Sequence, residues 1–449
     1  MLIKGMKFRA AAHVMSTELL LHYTVHHNWC DFFEASLQQQ RPRMFHSTHR
    51  CKAYSDLPSS QAATKSRKVA YSLFRIDMLS TADRTLIASV SASLDCFRHI
   101  DSKDALYIHL REAGAQHLMP ATALLSHDVA SIDEVENSLQ IFRDGACSSS
   151  SSGDNLPDAP LLLKAALGSG GFGIYFVNTR SDVLHVAQEH LRMAQEAGPA
   201  FLQGLRNESF DGEVPRWSLQ RYVKSLRVGD RSNRIQIRAY AAIVCSSASC
   251  VCLLYDRDFE ARIPHYDVDL DKELSGLREK AGVPVREQEG GEDPGGSADA
   301  IEALERRCCE GTSARPYNRE RNKAETDRRL LCEMLDPLSS RAVIEGVAGK
   351  CDEMLLALEP RLREYCKGSS PNSGSAEMSI AAFDLMLEKN GDIFIVEANF
   401  CPAMPQQNKR MSKKYREHIH KLMFSFVQLG YISSQRKEGV EALGFRSVW

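Results

Sequence analysis

Residues 383–399 read FDLMLEKNGDIFIVEAN, a largely apolar run with an acid near each end. Asn390-Gly391 is a strong hairpin signal, because a type I′ turn needs φ > 0 at both central positions. A two-residue loop predicts that Lys389 faces Asp392, Leu387 faces Phe394, Leu385 faces Val396 and Asp384 faces Glu397. Two like charges directly opposite each other destabilise a sheet unless something neutralises them. Asn399 lies two residues beyond Glu397 and so shares its face. Three oxygen-bearing side chains therefore converge at one end of the hairpin, a seat for a hard cation.

A second stretch, LLLKAALGSGGFGIYFV (161–177), holds Gly168-x-Gly170-x-x-Gly173. The dinucleotide fingerprint of that form must open a helix, whereas Ile-Tyr-Phe-Val here reads as a strand, and no Gly-Lys-Ser/Thr follows. What remains is a strand, a glycine flap and a second strand. Such a flap can lay bare N–H groups over phosphates, with Lys164 on the leading strand reaching phosphate oxygens; a plain turn beside a surface lysine is the bland alternative. A phosphate flap followed some two hundred residues later by an acidic hairpin suggests one centre, in which Mg2+ on Asp384, Glu397 and Asn399 bridges the phosphates of ATP.

These residues need a scaffold, and 449 residues, 43% hydrophobic, provide ample core for two or three domains. A formal net charge of −2 gives no general pull towards nucleic acid or membrane. Thirteen cysteines, an odd number, are scattered with no CxxC and no regular metal spacing, and read as reduced thiols, including Cys308-Cys309 and the Cys245, Cys250, Cys252 group. Composition divides the chain into an N-terminal extension (1–68), an N-terminal lobe (69–146), a Ser-rich linker (147–160), a catalytic domain (161–430) with an acidic, Gly-rich insert at 284–300, and a C-terminal tail (431–449). Short β-rich runs alternate with helical patterns near 181–196, 324–335 and 340–366, and a basic helix is expected to stop at Gly430. Because the strands form hairpins, the expected class is α/β (α+β) with mixed or antiparallel sheets flanked by helices.

The quoted segments resemble the tubulin tyrosine ligase-like family of the ATP-grasp superfamily over roughly residues 98 to 425. IDSKDALYIHL and HLMPATALL resemble the stretch before its ATP domain, SLQRYV its hinge strand, RSNRIQIRAYAAIV and LLYDRDFEARIP its arginine-bearing strands, and FDLMLEKNGDIFIVEANFCP its metal hairpin. The resemblance implies an ATP-grasp fold with ATP held between two subdomains. Lys164, Gly170, Gly171 and Gly173 would meet the phosphates, and Gln220, Arg221, Tyr222 and Val223 would frame the adenine. Arg238 and Arg262 would neutralise the acceptor carboxylate or an acyl phosphate. The implied activity is ATP-dependent ligation of a free amino acid to a protein tail, with tubulin's acidic C-terminal tail as partner. A monomer without nucleic-acid or membrane partners, located in the cytoplasm, cytoskeleton or cilium, goes with it. Lys4, Lys7 and Arg9 ahead of Glu18 leave open an organelle-targeting start.

The sequence departs from the family at several points. Arg221 and Arg234 stand where it has Lys, Gln236 where it has Asp, and the nearest match to its Thr-Asn segment supplies Thr312 and Asn318. Two alternatives stay open on those departures: another ATP-grasp carboxylate–amine ligase or small-molecule kinase, and an ATP-grasp binding protein without turnover.

Overall fold

The computed structural model describes residues 69–72, 87–91, 96–126, 132–139, 161–166, 173–196, 216–228, 233–246, 249–264, 307–316, 326–366, 376–400, 402, 411–433 and 440–449. The N-terminal extension, the Ser-rich linker, the 284–300 insert, Gly170, Gly171 and Asn318 lie outside them.

The larger sheet has eight strands, in the order β1 (Val69–Ser72), β2 (Ile87–Ser91), β13 (Ala376–Leu387), β9 (Gln236–Ser246), β10 (Cys250–Pro264), β12 (Thr326–Leu330). β14 (Ile393–Phe400) also pairs with β13, and β15 (Phe445–Ser447) with β10. Only the β1–β2 and β2–β13 pairings are parallel. The smaller sheet runs β11 (Arg315–Pro316), β5 (Ile174–Val177), β4 (Leu161–Ala165), β6 (Trp217–Arg221), β3 (Thr122–Leu125), all antiparallel. A short ribbon joins β7 (Arg227–Val228) to β8 (Asn233–Arg234). The described helices are α1 (Lys103–Glu112), α2 (Ile132–Ser138), α3 (Arg180–Glu196), α4 (Leu331–Met334), α5 (Pro337–Cys366) and α6 (Lys413–Ser433), with a 3-10 turn at Cys96–Ile100. This is the mixed α+β architecture that the hairpins predict. Among the described residues no helix is long and apolar enough to cross a membrane.

Strand alternation decides what each face of the large sheet carries. On β9, Ile237, Ala239, Ala241 and Ile243 share one core with Met354, Leu355 and Leu358 of α5. The intervening Tyr240, Ala242 and Val244 share another with Tyr415, Ile419 and Phe426 of α6. The period of two is thus satisfied by helices on both sides. The small sheet packs Leu161, Leu163 and Tyr175 against Val183 and Val186 of α3.

Three local expectations are corrected. The 324–335 pattern yields strand β12 and only one turn of helix, because Thr326–Leu330 pairs with β10. Helix α6 runs through Gly430 to Ser433. The β13–β14 connection is not a two-residue turn: Gly391 N–H donates to the Glu388 carbonyl (3.0 Å), Glu388 N–H to the Asp392 carbonyl (2.8 Å), and Gly391 has φ +97°. That is a three-residue loop ending in a left-handed glycine, and it pairs Leu387 with Ile393 and Leu385 with Ile395, one residue out from the expected register. A bulge then adds one residue, Val396, and restores the pairing of Asp384 with Glu397 and of Ala382 with Asn399.

Candidate active site

The bulge has a steric result. Ile395 and Ala398 both belong to the core under α5, although they are three positions apart, an odd number. Glu397 and Asn399 therefore lie on the opposite face, with Asp384, next to the α6 side of the sheet. There Asn399 Nδ2 donates to Asp384 Oδ2 (3.2 Å). Arg238, the register partner of Asp384 on β9, donates to both carboxylate oxygens (Nε 2.6 Å, Nη2 2.7 Å). Burial alone would pull the Arg238 guanidinium down, but Asp384 more than offsets it and holds the group above its ordinary value. The structure thus brings Asn399 into contact with Asp384, sets Glu397 opposite Asp384 in the register, and pairs Arg238, expected to meet the acceptor carboxylate or an acyl phosphate, with Asp384.

Lys164 enters from the small sheet. Its side chain is buried and donates to Gln220 Oε1 (2.5 Å), while Gln220 Nε2 donates to Thr122 Oγ1 (2.9 Å). Burial pushes the Lys164 ammonium down to about 8; the Glu397 charge acts upward and Lys103 downward. Among the described residues no carboxylate pairs with it. Gly173 at φ +70° closes the flap where a Cβ would meet Ala165 at 3.0 Å, so only glycine lets β5 return there.

The remaining hinge residues connect the two sheets. Arg221 pairs with Glu388 (2.6 Å) and lies over the Phe394 ring (5.1 Å). Tyr222 packs edge-on against Phe176 (5.5 Å), and Val223 is buried. The chain after β6 joins the hairpin through Leu226 N–H to the Leu387 carbonyl (2.6 Å) and Lys389 N–H to the Lys224 carbonyl (3.1 Å).

Arg262 is placed otherwise than the resemblance implies. Its Nε donates to the buried Glu260 carboxylate (2.7 Å), which also accepts from Arg328 (2.6 Å) and the Tyr240 hydroxyl (2.8 Å). Burial raises the Glu260 carboxyl, but Arg262, Arg328 and Arg238 outweigh it and hold the group well below the carboxylate range. Arg262 is therefore committed within the sheet. Thr312 is likewise committed, bonding to the Cys309 carbonyl (2.9 Å) in a turn beside α3.

Two residues at the site escaped the sequence reading. Lys103 Nζ lies 3.9 Å from Glu397, and Asp101 accepts from Phe400 N–H (2.8 Å). Burial raises the Asp101 carboxyl to about 6, against the Phe400 hydrogen bond and with the Glu397 charge adding to the rise. Both precede or open α1, where Ser102 caps the helix, so in sequence they read as ordinary helix-start residues.

Fold and site together define an α+β protein in which a buried lysine on one sheet faces an acid–amide hairpin on another. No family model and no curated protein matches the chain. Among solved structures it is similar to the C-terminal domain of K. lactis Pby1, described as an ATP-grasp enzyme interacting with the mRNA decapping enzyme Dcp2. Identity is 12% and the TM-score 0.45, over 96% of this chain and 98% of that chain.

Proposed function

We propose that the protein is an ATP-dependent ligase of the ATP-grasp type that joins an amino acid to an acidic protein tail, tubulin's being the candidate acceptor. The observation that carries this reading is Lys164: an ammonium held inside the protein by one amide, with no carboxylate against it among the described residues, is arranged for an anion supplied from outside. The donor set fits a hard cation as well. Asp384 Oδ1 keeps a second lone pair besides the one used by Arg238, while Oδ2 accepts from both Arg238 and Asn399, and Asn399, donating through Nδ2, keeps its amide oxygen. Mg2+ at these donors would offset phosphate charge.

In the reaction proposed, an acceptor carboxylate attacks the terminal phosphorus of ATP and ADP leaves. The amine of the incoming amino acid then displaces phosphate from the acyl phosphate. Lys164, positioned by Gln220 and Thr122, neutralises phosphate oxygens, and such chemistry depends mainly on positioning and charge. Support for an acidic acceptor comes from α6, where Lys413, Lys414, Arg416 and Lys421 are all exposed.

The test is ATP consumption with a glutamate-rich peptide and a mixture of free amino acids, read together with peptide mass. The expected result is turnover only when both are present, lost by about 100-fold or more in Glu397→Gln with the fold retained. Turnover on small metabolites alone would redirect the reading to a small-molecule ligase or kinase. A second reading, nucleotide binding without turnover, has one observation in its favour: Arg262, the residue nominated to meet the acyl phosphate, is held by Glu260.

A further inference from the structure

Four cysteines from three distant parts of the chain meet at one point. Cys96 begins the 3-10 turn ahead of α1, Cys366 ends α5, and Cys245 and Cys250 face each other at the end of the β9–β10 hairpin. The sulfurs of Cys245, Cys250 and Cys366 all lie within 4.8 Å of one another. Cys96 Sγ is joined to Cys366 Sγ, so it borders the same trio, and Cys245 is joined to Cys250, which corrects the reading of the hairpin pair as free thiols. Cys96, Cys245 and Cys366 are buried.

We infer that these four cysteines form a tetrathiolate site for a soft divalent cation, with zinc as the fitting metal. Such a site would hold its metal whether or not the protein binds a nucleotide. Cys245 and Cys250 enclose four residues, within the Cys-x2–4-Cys spacing of zinc knuckles, and a hairpin end presents both sulfurs to one side. A zinc tetrahedron with Zn–S of about 2.3 Å needs sulfurs about 3.8 Å apart; the Cys366 sulfur lies within 4.8 Å of both hairpin sulfurs, and Cys245 and Cys250, joined here, would have to part to that spacing. A crosslink between Cys245 and Cys250 would also add little. Closing a loop stabilises by restricting the unfolded chain, and this loop is among the shortest and is already zipped by the β9–β10 ladder. A metal held by all four sulfurs instead ties three separate elements. Arg363, which also pairs with Glu359 (2.6 Å), donates to the Cys250 carbonyl (3.1 Å) beside what would be a dianionic centre.

The site has a position that matters to the rest of the molecule. Cys96 is followed by Phe97, whose N–H donates to Ser379 on β13, and within a few residues by Asp101 and Lys103 at the acid hairpin. The metal would therefore fasten the start of α1 to the sheet that carries Asp384 and Glu397.

Reduction of the two sulfur–sulfur linkages by a phosphine supplies four electrons and, from water, four protons, giving four thiols. Zn2+ then displaces those four protons and forms four Zn–S bonds. The experiment uses the full chain, purified with a phosphine reductant and zinc chloride and then passed through gel filtration. One tightly held zinc per chain is expected by elemental analysis, and cobalt in its place should show the intense absorption of tetrahedral thiolate coordination. In the wild-type protein a chelator should expose Cys96, Cys245, Cys250 and Cys366 to alkylation together, a readout that needs no variant to fold. Cys250→Ser should lose the metal, whereas Cys332→Ser, at an exposed cysteine on α4, should keep it. Metal-free reduced protein, metal loss in Cys332→Ser, or Cys96–Cys366 and Cys245–Cys250 disulfides that persist through the reduction would each overturn the inference.

Discussion

Two buried charges in this molecule are treated in opposite ways. Glu260 sits in the large sheet with donors from Arg262, Arg328 and Tyr240 at 2.6–2.8 Å. Lys164 sits in the small sheet against one neutral amide, with no carboxylate paired to it among the described residues. A buried charge ringed by counter-ions and donors holds structure together, while one left short of a counter-ion costs free energy that a ligand can return. The contrast separates scaffold from site more sharply than residue type does, since both regions are rich in arginine, lysine and acid.

That contrast can be broken at either end. Glu260→Gln removes the shared anion and leaves buried guanidinium groups uncompensated, so unfolding free energy should drop by about 3–5 kcal/mol in denaturant titration. Lys164→Met should act in the opposite sense. Turnover or nucleotide binding falls by about 100-fold or more, yet the ligand-free protein gains roughly 1–3 kcal/mol, because a desolvated ammonium has been removed. A Lys164→Met protein that melts early would place this lysine with the scaffold.

The pH signatures should differ as well. The Glu260 carboxyl titrates below its unfolded value of 4.5, so its stabilisation is present above that pH and disappears as pH falls beneath it. Lys164 titrates near 8 when folded against 10.5 unfolded, so the unfolded chain binds more protons between those values. Ligand-free stability should therefore climb from about pH 8 to about 10.5, measured as the difference between wild type and Lys164→Met. The smallest effect belongs to Arg221→Ala. Its half-exposed pair with Glu388 and its contact with Phe394 should together be worth about 0.5–1 kcal/mol, read as a small loss in melting temperature.

Much of this was legible in the chain, for reasons that particular residues make plain. The Lys164 strand, the glycine that closes its flap, and the face shared by Glu397 and Asn399 follow from alternation and glycine's freedom, which are local. The hairpin shows how local reasoning can arrive correctly by a faulty route. Asn390-Gly391 suggested the wrong loop length, and the Val396 bulge, for which the sequence has no marker, cancelled the error. Arg262 was legible as a cation but not as Glu260's partner, because the competing groups come from β9 and β12, far away in sequence. The cysteines looked scattered for the same reason: a spacing rule sees Cys245 and Cys250 but not Cys96 and Cys366, whose meeting depends on the packing of α5 and the Cys96–Ile100 turn.

The extra residue at Val396 makes the hairpin sensitive to length rather than to composition. Swapping that valine for another aliphatic alters little, whereas deleting it would turn every later side chain of the strand over. Glu397 and Asn399 would be driven into the oily interior beneath α5 and Ala398 out among the charges. One surplus peptide unit thus acts as a phase shift, and a family of related chains could exchange most of the strand's letters while never changing their number.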